Sequence, residues 1–394
     1  MLIKRKIFST LKKQIDLPEI VVLTGMRRVG KTTIYQMVYD TIPSGNKVFF
    51  DLENPIEQMI FEEKDYNNIW ENLKSYGITS TERAYIFLDE IQEKPEIIKA
   101  IKYLYDHYNV KFFLTGSSSF YLKNLFPESL AGRKVIFELY PLDFEEFCFF
   151  KKVKIKFKKI FSSKLAKKNP VQFEKLTKLY DEYVTYGGFP QVVLTEDYEH
   201  KARQISDIFK SYFQKDIIQL ADFRNINAFR DLMLLLFQRV GSKLDVTKLA
   251  SAIGVSRETV YSYLSYLCGT YFINLISPYS TNVDREVSGA RKVYICDTGI
   301  VNQFAKVSEG ALFENSVFLN LRKYGKINYY QKRSGAEIDF ILADKNITLE
   351  VKCSGTERDY KKLQKLSQQL KCKEQYIISR KYSKMENVIP AVYI

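Results

Sequence analysis

The segment Gly25-Met26-Arg27-Arg28-Val29-Gly30-Lys31-Thr32 constrains this chain more than any other, because it reads G-x-x-x-x-G-K-T between an apolar run and a helical one. Ile20-Val21-Val22-Leu23 before it has the character of a buried parallel strand, and Thr33 to Asp40 after it can continue as a helix. Glycines at both ends let the backbone curl around a phosphate, so that successive N–H groups point inward at its oxygens. The positive end of the new helix adds to that field. In such a loop Lys31 reaches the β- and γ-phosphates of ATP, and the Thr32 hydroxyl helps to complete a Mg2+ shell that is otherwise mostly water and phosphate. The expected nucleotide-binding residues are Gly25, Arg27, Arg28, Val29, Gly30, Lys31, Thr32 and Thr33.

A loop of this kind needs a sheet behind it. Short, nearly continuous apolar runs fall at 20–24, 47–51, 84–89, 111–115 and 134–139, separated by segments long enough for crossover helices. That alternation predicts an α/β three-layer parallel sheet with the phosphate loop at the carboxyl edge of its strand. Two further features belong to the same edge. Ile86-Phe87-Leu88-Asp89-Glu90 ends an apolar strand in paired carboxylates, of which Asp89 suits Mg2+ and Glu90 suits the water that attacks the γ-phosphate. Leu114-Thr115-Gly116-Ser117-Ser118-Ser119 ends the next strand in hydroxyls. Ser117 reads there either as a sensor of the γ-phosphate or its water, or as an ordinary turn serine.

G-x-R-R-V-G-K-T-T, F-L-D-E-I-Q, L-T-G-S-S-S and S-L-A-G-R (Ser129 to Arg133) together resemble a family of archaeal and bacterial AAA-type ATPases. In that family the ATPase module is followed by a C-terminal region of unassigned function. The resemblance implies that Arg133 stabilises charge on ATP, in its own subunit or a neighbour's. The plainer reading is a surface arginine after a turn glycine.

At 394 residues the chain is too long for one ordinary core. The expected division is an AAA-type P-loop ATPase domain at 1–140, a helical region with a lysine-rich insertion at 141–240, a winged-helix-like module at 241–285 and a nuclease-like domain at 286–394. The net charge of +14 suggests a polyanionic partner such as nucleic acid, most naturally DNA. No run approaches the roughly 18 apolar residues that span a bilayer, and Met1 to Lys6 lacks the apolar segment of a signal peptide. Five cysteines without paired spacing and two histidines argue against a zinc site and a disulfide framework. The expectation is a cytoplasmic protein that does not enter membranes, with a protein partner or an oligomer left open.

Beyond Pro141 the pattern turns helical. The lysine-dense stretch from Lys151 to Lys168 reads either as a nucleic-acid-contacting arm or as a solvated insertion. Tyr186-Gly187-Gly188-Phe189-Pro190 is a turn that also matches the family's G-G-F-P signature. Residues 245 to 264 fit a helix-turn-helix: an apolar-faced helix carries the small Ala250, Gly254 makes the turn, and Ser256 caps a second helix. In a DNA-binding version that helix offers Arg257, Thr259, Tyr261 or Ser262 to the duplex. Such folds also serve as packing modules.

The last hundred residues hold a second constellation. Gly335 to Leu342 and Ile347 to Cys353 read as a β-hairpin around Ala343–Asn346. Strand alternation puts Glu350 and Lys352 on one face and Leu349, Val351 and Cys353 on the other. Asp339 with Glu350-x-Lys352 is the arrangement of restriction-endonuclease-like nucleases, in which two carboxylates hold a divalent metal and the lysine positions the hydrolytic water. Glu314, on a helix begun by Gly310-Ala311-Leu312-Phe313, is a candidate further carboxylate. The alternative is an exposed hairpin with cross-strand ion pairs. The match to G-A-E-I-D-F and E-V-K resembles the C-terminal region of the same ATPase family. The expected metal ligands are thus Thr32 and Asp89 in one site, and Glu314, Asp339 and Glu350 in the other. Two functions follow: an ATP-hydrolysing protein acting on nucleic acid with a metal-dependent nuclease domain, or an ATP-gated switch that binds DNA or a protein without cutting.

Overall fold

The structure, a computed structural model, describes residues 3–394 apart from 117–131, 154, 156, 159–160, 162–168, 220–224, 281–285, 287 and 333. It divides into two compact units. The first comprises Met1–Tyr140 with Ser211–Ala221 and Gly269–Tyr271; the second comprises Pro141–Lys210, Asp222–Cys268 and Phe272–Ile394.

In the first unit the five apolar runs form β1 (Ile20–Thr24), β2 (Lys47–Asp51), β3 (Ala84–Asp89), β4 (Val110–Gly116) and β5 (Lys134–Glu138). They pair in the order β2-β3-β4-β1-β5, every neighbouring pair parallel. The strands between them need crossovers, supplied by α1 (Lys31–Thr41), α2 (Tyr66–Lys74) and α3 (Ile97–His107). Because side chains alternate along a strand, Ile20, Val22, Phe50, Ile86, Leu88, Phe112 and Leu114 share one face. They pack against Ile69, Trp70 and Leu73 of α2 and Ile97, Ile101 and Leu104 of α3. On the other face Phe87 and Phe113 stack with centroids 4.4 Å apart, and Tyr35 of α1 meets them edge-on at 5.7 and 5.6 Å. With apolar side chains required on both faces, β1 and β4 are buried along their whole length. This is the three-layer α/β sheet that the apolar runs predict, and it carries the loop 25–30 at the carboxyl end of β1.

The second unit begins with helices, among them α4 (Pro170–Tyr186), whose first turn is capped by the Asn169 side chain. The Gly187-Gly188 turn that follows has a packing reason. A Cβ on Gly187 would lie 2.0 Å from Asp297 Oδ1, and the Asp297 carboxylate accepts the Gly188 N–H at 2.7 Å. Beyond the helices Pro190–Leu194 and Tyr198–Ser211 come α5 (Ile226–Phe237), α6 (Val246–Ile253) and α7 (Arg257–Gly269), then β6 (Ile273–Ile276) antiparallel to β7 (Lys292–Ile295). Isolated bridges join Val240 to Val293 and Lys243 to Lys292. The sheet partner of β6 therefore lies beyond residue 285, where the sequence suggested a boundary; the long connection 277–291 hides the pairing from any local pattern.

The C-terminal portion starts with α8 (Glu309–Leu321) and continues through β8 (Ile327–Gln331), β9 (Glu337–Leu342), β10 (Ile347–Lys352), α9 (Glu357–Gln369), β11 (Glu374–Ser379) and β12 (Val388–Pro390). The sheet order is β12-β11-β10-β9-β8, antiparallel from β8 to β10 and parallel from β10 to β12. Helix α9 makes the crossover that a parallel pair demands, and it starts with a capping box between Thr356 and Asp359. Its Leu363 and Leu366 pack on Ile338, Ile341, Ile377 and Val388 of the sheet.

Candidate functional sites

In the first unit β4 lies between β1 and β3, so the end of β4 stands between the phosphate loop and the paired carboxylates. The geometry uses that position. The Thr32 hydroxyl donates to Asp89 Oδ2 at 2.6 Å, and the Thr115 hydroxyl donates to Asp89 Oδ1. Thr115 in turn accepts the Glu90 backbone N–H at 3.0 Å. Burial pushes the Asp89 carboxyl above its ordinary range, while the hydrogen bonds from Thr115 and Thr32 pull it back. Glu90 adopts a left-handed backbone, φ 55°, and its carboxylate accepts from the Gln92 side chain.

Lys31 is 4% exposed. Its ammonium donates to the carbonyls of Gly25 and Met26 at 3.1 and 3.0 Å and lies 3.9 Å from Glu90 Oε1. Gly25 is required by contact, since a Cβ there would sit 2.1 Å from the Leu139 carbonyl oxygen. Gly30 immediately precedes α1, and its left-handed φ of 96° rather than contact favours glycine there, since a Cβ would meet nothing within 4 Å. Val29 is buried and its carbonyl accepts from Arg5, whereas Arg28, Thr32 and Thr33 are exposed. The loop's N–H groups and the Thr32–Asp89 pair thus offer the donors and acceptors that a nucleoside triphosphate and its Mg2+ require.

Arg27 is held elsewhere. Its guanidinium pairs with Glu53 at 3.2 Å, Asp216 at 3.1 Å and Glu93 at 3.6 Å. Three carboxylates thus engage the guanidinium that the sequence offered to the nucleotide. Asp216 belongs to a π-helix, Tyr212–Gln219, and nothing near residue 216 in the sequence signals its pairing with the loop. Arg133 lies away from the phosphate loop of its own chain. It immediately precedes β5, whose first residue pairs with the first residue of β1, at the sheet edge opposite the phosphate loop. Its Nε lies 3.0 Å from Asp106 Oδ1. A strand of five residues, about 3.3 Å per residue, separates it from the loop of its own chain, beyond the reach of a side chain. Ser117 lies outside the described residues.

In the second unit the hairpin and helix bring Glu314, Asp339, Glu350 and Lys352 into one cluster, together with three residues that local patterns did not single out: Lys292, Tyr294 and Glu337. Lys352 Nζ lies 2.8 Å from Glu350 Oε1. Asp339 Oδ2 accepts the Val351 N–H at 2.8 Å, and Tyr294 donates to Glu314 Oε1 at 2.7 Å. Lys292 comes from β7, 4% exposed, and its ammonium pairs with Glu337, with Glu314 at 3.5 Å and with Asp339 at 3.9 Å. Alternation along β7 puts Lys292 and Tyr294 on one face, the only sequence signal that could have found them. Burial, and then the charge of Asp339, push the carboxyls of Glu314 and Glu350 up to about 7.

These residues, as placed, do not fit a divalent cation. Among the described residues no group of three Asp, Glu, His or Cys side chains is arranged to hold one. The oxygens that would face it are engaged by Lys292, Lys352, Tyr294 and the Val351 N–H.

Around the helix-turn-helix, Asp245 accepts the Lys248 N–H at 3.0 Å, Gly254 is left-handed, and Ser256 accepts the Thr259 N–H at 3.2 Å. Arg257, Tyr261 and Ser262 are exposed, while Thr259 is half-buried. Beside them lies a cavity of about 860 Å3 lined in part by Lys243, Tyr261, Ser265 and Arg291. In the lysine-dense stretch Lys151 pairs with Glu182 at 2.8 Å, and much of the remainder lies outside the described residues.

Residues 17–148 match a family model described as an AAA domain. Residues 177–311 and 309–393 match two others, each described as a domain of unknown function (DUF8612 and DUF4143). With the loop, the paired carboxylates and the sheet order, the match makes the first unit an AAA-type P-loop ATPase domain. An uncharacterized protein of Methanocaldococcus jannaschii is 29% identical over 370 residues, covering 90% of this chain and 80% of that protein. One of Haemophilus influenzae is 28% identical, covering 85% and 83%, and one of Mycobacterium tuberculosis is 23% identical, covering 90% and 75%. Among solved structures, the Aeropyrum pernix ORC1 protein in complex with DNA is similar with a TM-score of 0.36 and 12% identity, covering 80% of this chain and 93% of that chain. The ADP form of the Aeropyrum pernix ORC2 protein is similar with a TM-score of 0.38 and 11% identity, covering 70% and 87%. Among the described residues no helix is long and apolar enough to cross a membrane.

Proposed function

We propose that this chain hydrolyses ATP in its first unit and that nucleotide state there controls the hold of its second unit on DNA. The observation that carries the ATPase part is the Thr32–Asp89–Thr115 chain of hydrogen bonds beside Lys31. Lys31 exchanges its two carbonyl partners for the β- and γ-phosphate oxygens. Glu90, fixed by Thr115 and Gln92, orients a water for in-line attack on the γ-phosphorus. The bond to the ADP oxygen breaks, and the proton of the water passes to the Glu90 carboxylate. Thr32 and Asp89 are the residues that would hold Mg2+, which when bound neutralises charge on the phosphates.

The DNA part is supported by the helix-turn-helix geometry, the exposed Arg257, Tyr261 and Ser262, and the net charge of +14. Fluorescence anisotropy of labelled duplex with ATP or with ADP tests it. Different affinities support the coupling, and equal ones remove it.

The order α8-β8-β9-β10-α9-β11 supports a nuclease-like domain, with Glu314 on the helix, Asp339 on the second strand and Glu350-x-Lys352 on the third. One reading gives that domain metal-dependent cleavage. The other makes it a clamp that does not cut, and the insertion of Lys292 among the carboxylates favours this second reading. Incubating labelled duplex, branched and single-stranded DNA with Mg2+ or Mn2+ decides between them. Cleavage by the wild type and none by Asp339→Ala would establish the first.

A further inference from the structure

The geometry points to Lys292 as the resident cation of the C-terminal acid cluster: an ammonium group, built into the chain, sits among Glu314, Glu337 and Asp339 and supplies the positive charge that a divalent metal would otherwise bring. The inference rests on the non-cleaving reading above and gives it a cause. The groups of the cluster come from four elements, and Lys362 and Asp359 of α9 act on Glu350 and Lys352 from outside it. Helix α8 contributes Glu314, β9 contributes Glu337 and Asp339, and β10 contributes Glu350 and Lys352; β7 contributes Tyr294 and Lys292 itself. The ring of Tyr329 on β8 lies with its centroid 5.5 Å from the Lys292 ammonium.

Three features distinguish Lys292 from a surface lysine that happens to find an acid. It is 4% exposed, so its charge is removed from water and is stable only against compensating charge. It meets carboxylates from two different elements, Glu314 on α8 and the Glu337–Asp339 face of β9, which lie more than twenty positions apart in the chain. And it is brought there by β7, the strand that closes the small sheet with β6, so the ammonium has a fixed tether. Strand alternation fixes the partners too: Glu337 and Asp339 share one face of β9, as Lys292 and Tyr294 share one face of β7.

A second cation among the same oxygens would sit against a buried ammonium, and the two positive charges repel strongly where water does not screen them. Lys292 in place therefore excludes a divalent ion, and an uncharged residue of similar length should admit one. The role is positional and electrostatic; Lys292 reacts with nothing.

The test is Mn2+ binding to the full chain without nucleotide, by calorimetry and by thermal melting, with Asp339→Asn to identify the part of the signal that belongs to this cluster. The wild type should show no Asp339-dependent Mn2+ binding, and Mn2+ should leave its melting unchanged. Lys292→Met should melt lower, regain stability with Mn2+, and show the Asp339-dependent Mn2+ binding that the wild type lacks. Lys292→Arg, which keeps the charge, should behave as wild type. Asp339-dependent Mn2+ binding by the wild type overturns the inference; if that protein also cleaves no DNA, the clamp reading survives alone. If wild-type protein cleaves DNA with Mn2+, both fall. Should Lys292→Met fail to fold, the comparison of wild type with Asp339→Asn still decides.

Discussion

The chain carries two sets of carboxylates on its sheets, Asp89 with Glu90 at the end of β3 and Asp339 with Glu350 inside β9 and β10, and it satisfies Asp89 and Asp339 in different ways. Asp89 is met by two hydroxyls, Thr32 and Thr115. Neutral donors hold the carboxylate in place and leave its negative charge to act on something else. Asp339 and its neighbours are met by two ammonium groups, Lys292 and Lys352. There the charge is spent inside the protein. The same residue type is thus held by neutral donors in one unit and faced by cations in the other. The difference lies in which partners the fold delivers, and a motif does not record that.

The largest effect that would sharpen this contrast is on hydrolysis. Lys31→Ala should lower ATP turnover roughly 100-fold or more without unfolding the protein, since the lysine is aimed at charge that develops on the phosphates. Glu90→Gln should fall by a similar factor while nucleotide affinity is retained, which separates binding from attack. Titration with a fluorescent ATP analogue alongside a phosphate-release assay checks both.

Next comes stability. Lys292→Met should cost the second unit about 3–5 kcal/mol, because it leaves buried carboxylates without their counter-charge. Denaturant unfolding would show it, and a loss below about 1 kcal/mol, as for a surface ion pair, would break the contrast.

A smaller, pH-dependent effect follows from Glu314. Its carboxyl is pushed up to about 7 by burial and by Asp339, against an ordinary value near 4.3. The folded state therefore binds a proton more tightly than the unfolded one. That contribution to stability is complete below about pH 4.3 and is lost as pH rises through about 7. Melting curves between pH 5 and 8 should show a decline in the wild type that is shallower in Glu314→Gln, which has no carboxyl to titrate. The smallest effect is at the helix-turn-helix, where Arg257→Ala should lower the salt slope of DNA binding by about 1.

Much of the first unit was legible in the sequence because its information is local. Each of the five strands is a continuous apolar run bounded by polar residues, and the phosphate loop sits where one run ends and a helix begins. Asp89 and Glu90 close another run. What escaped was the lateral order of strands. Only the insertion of β4 between β1 and β3 brings Thr115 to Asp89, and only the parallel pairing of β5 with β1 sets Arg133 at the end of β1 opposite the loop. Arg27 escaped for a similar reason, since Asp216 is 189 positions away in the chain.

In the second unit the turn at Gly254 and the cap at Ser256 were readable, and the alternation of β10 separated Glu350 and Lys352 from Leu349 and Val351. The role of Lys292 was not readable. Its strand is four residues long, and its pairing with β6 spans a long connection. The residues that define its environment belong to α8 and β9. A short buried lysine-bearing strand looks like a surface strand until its neighbours are known.

The decisive measurement on the first site is steady-state phosphate release from ATP with Mg2+, comparing wild type with Lys31→Ala. Sustained release by the wild type and none above background by the variant is the predicted result. Equal rates in the two proteins, or no release by the wild type under conditions where it binds ATP, would contradict the hydrolytic role of Lys31, Thr32, Asp89 and Glu90.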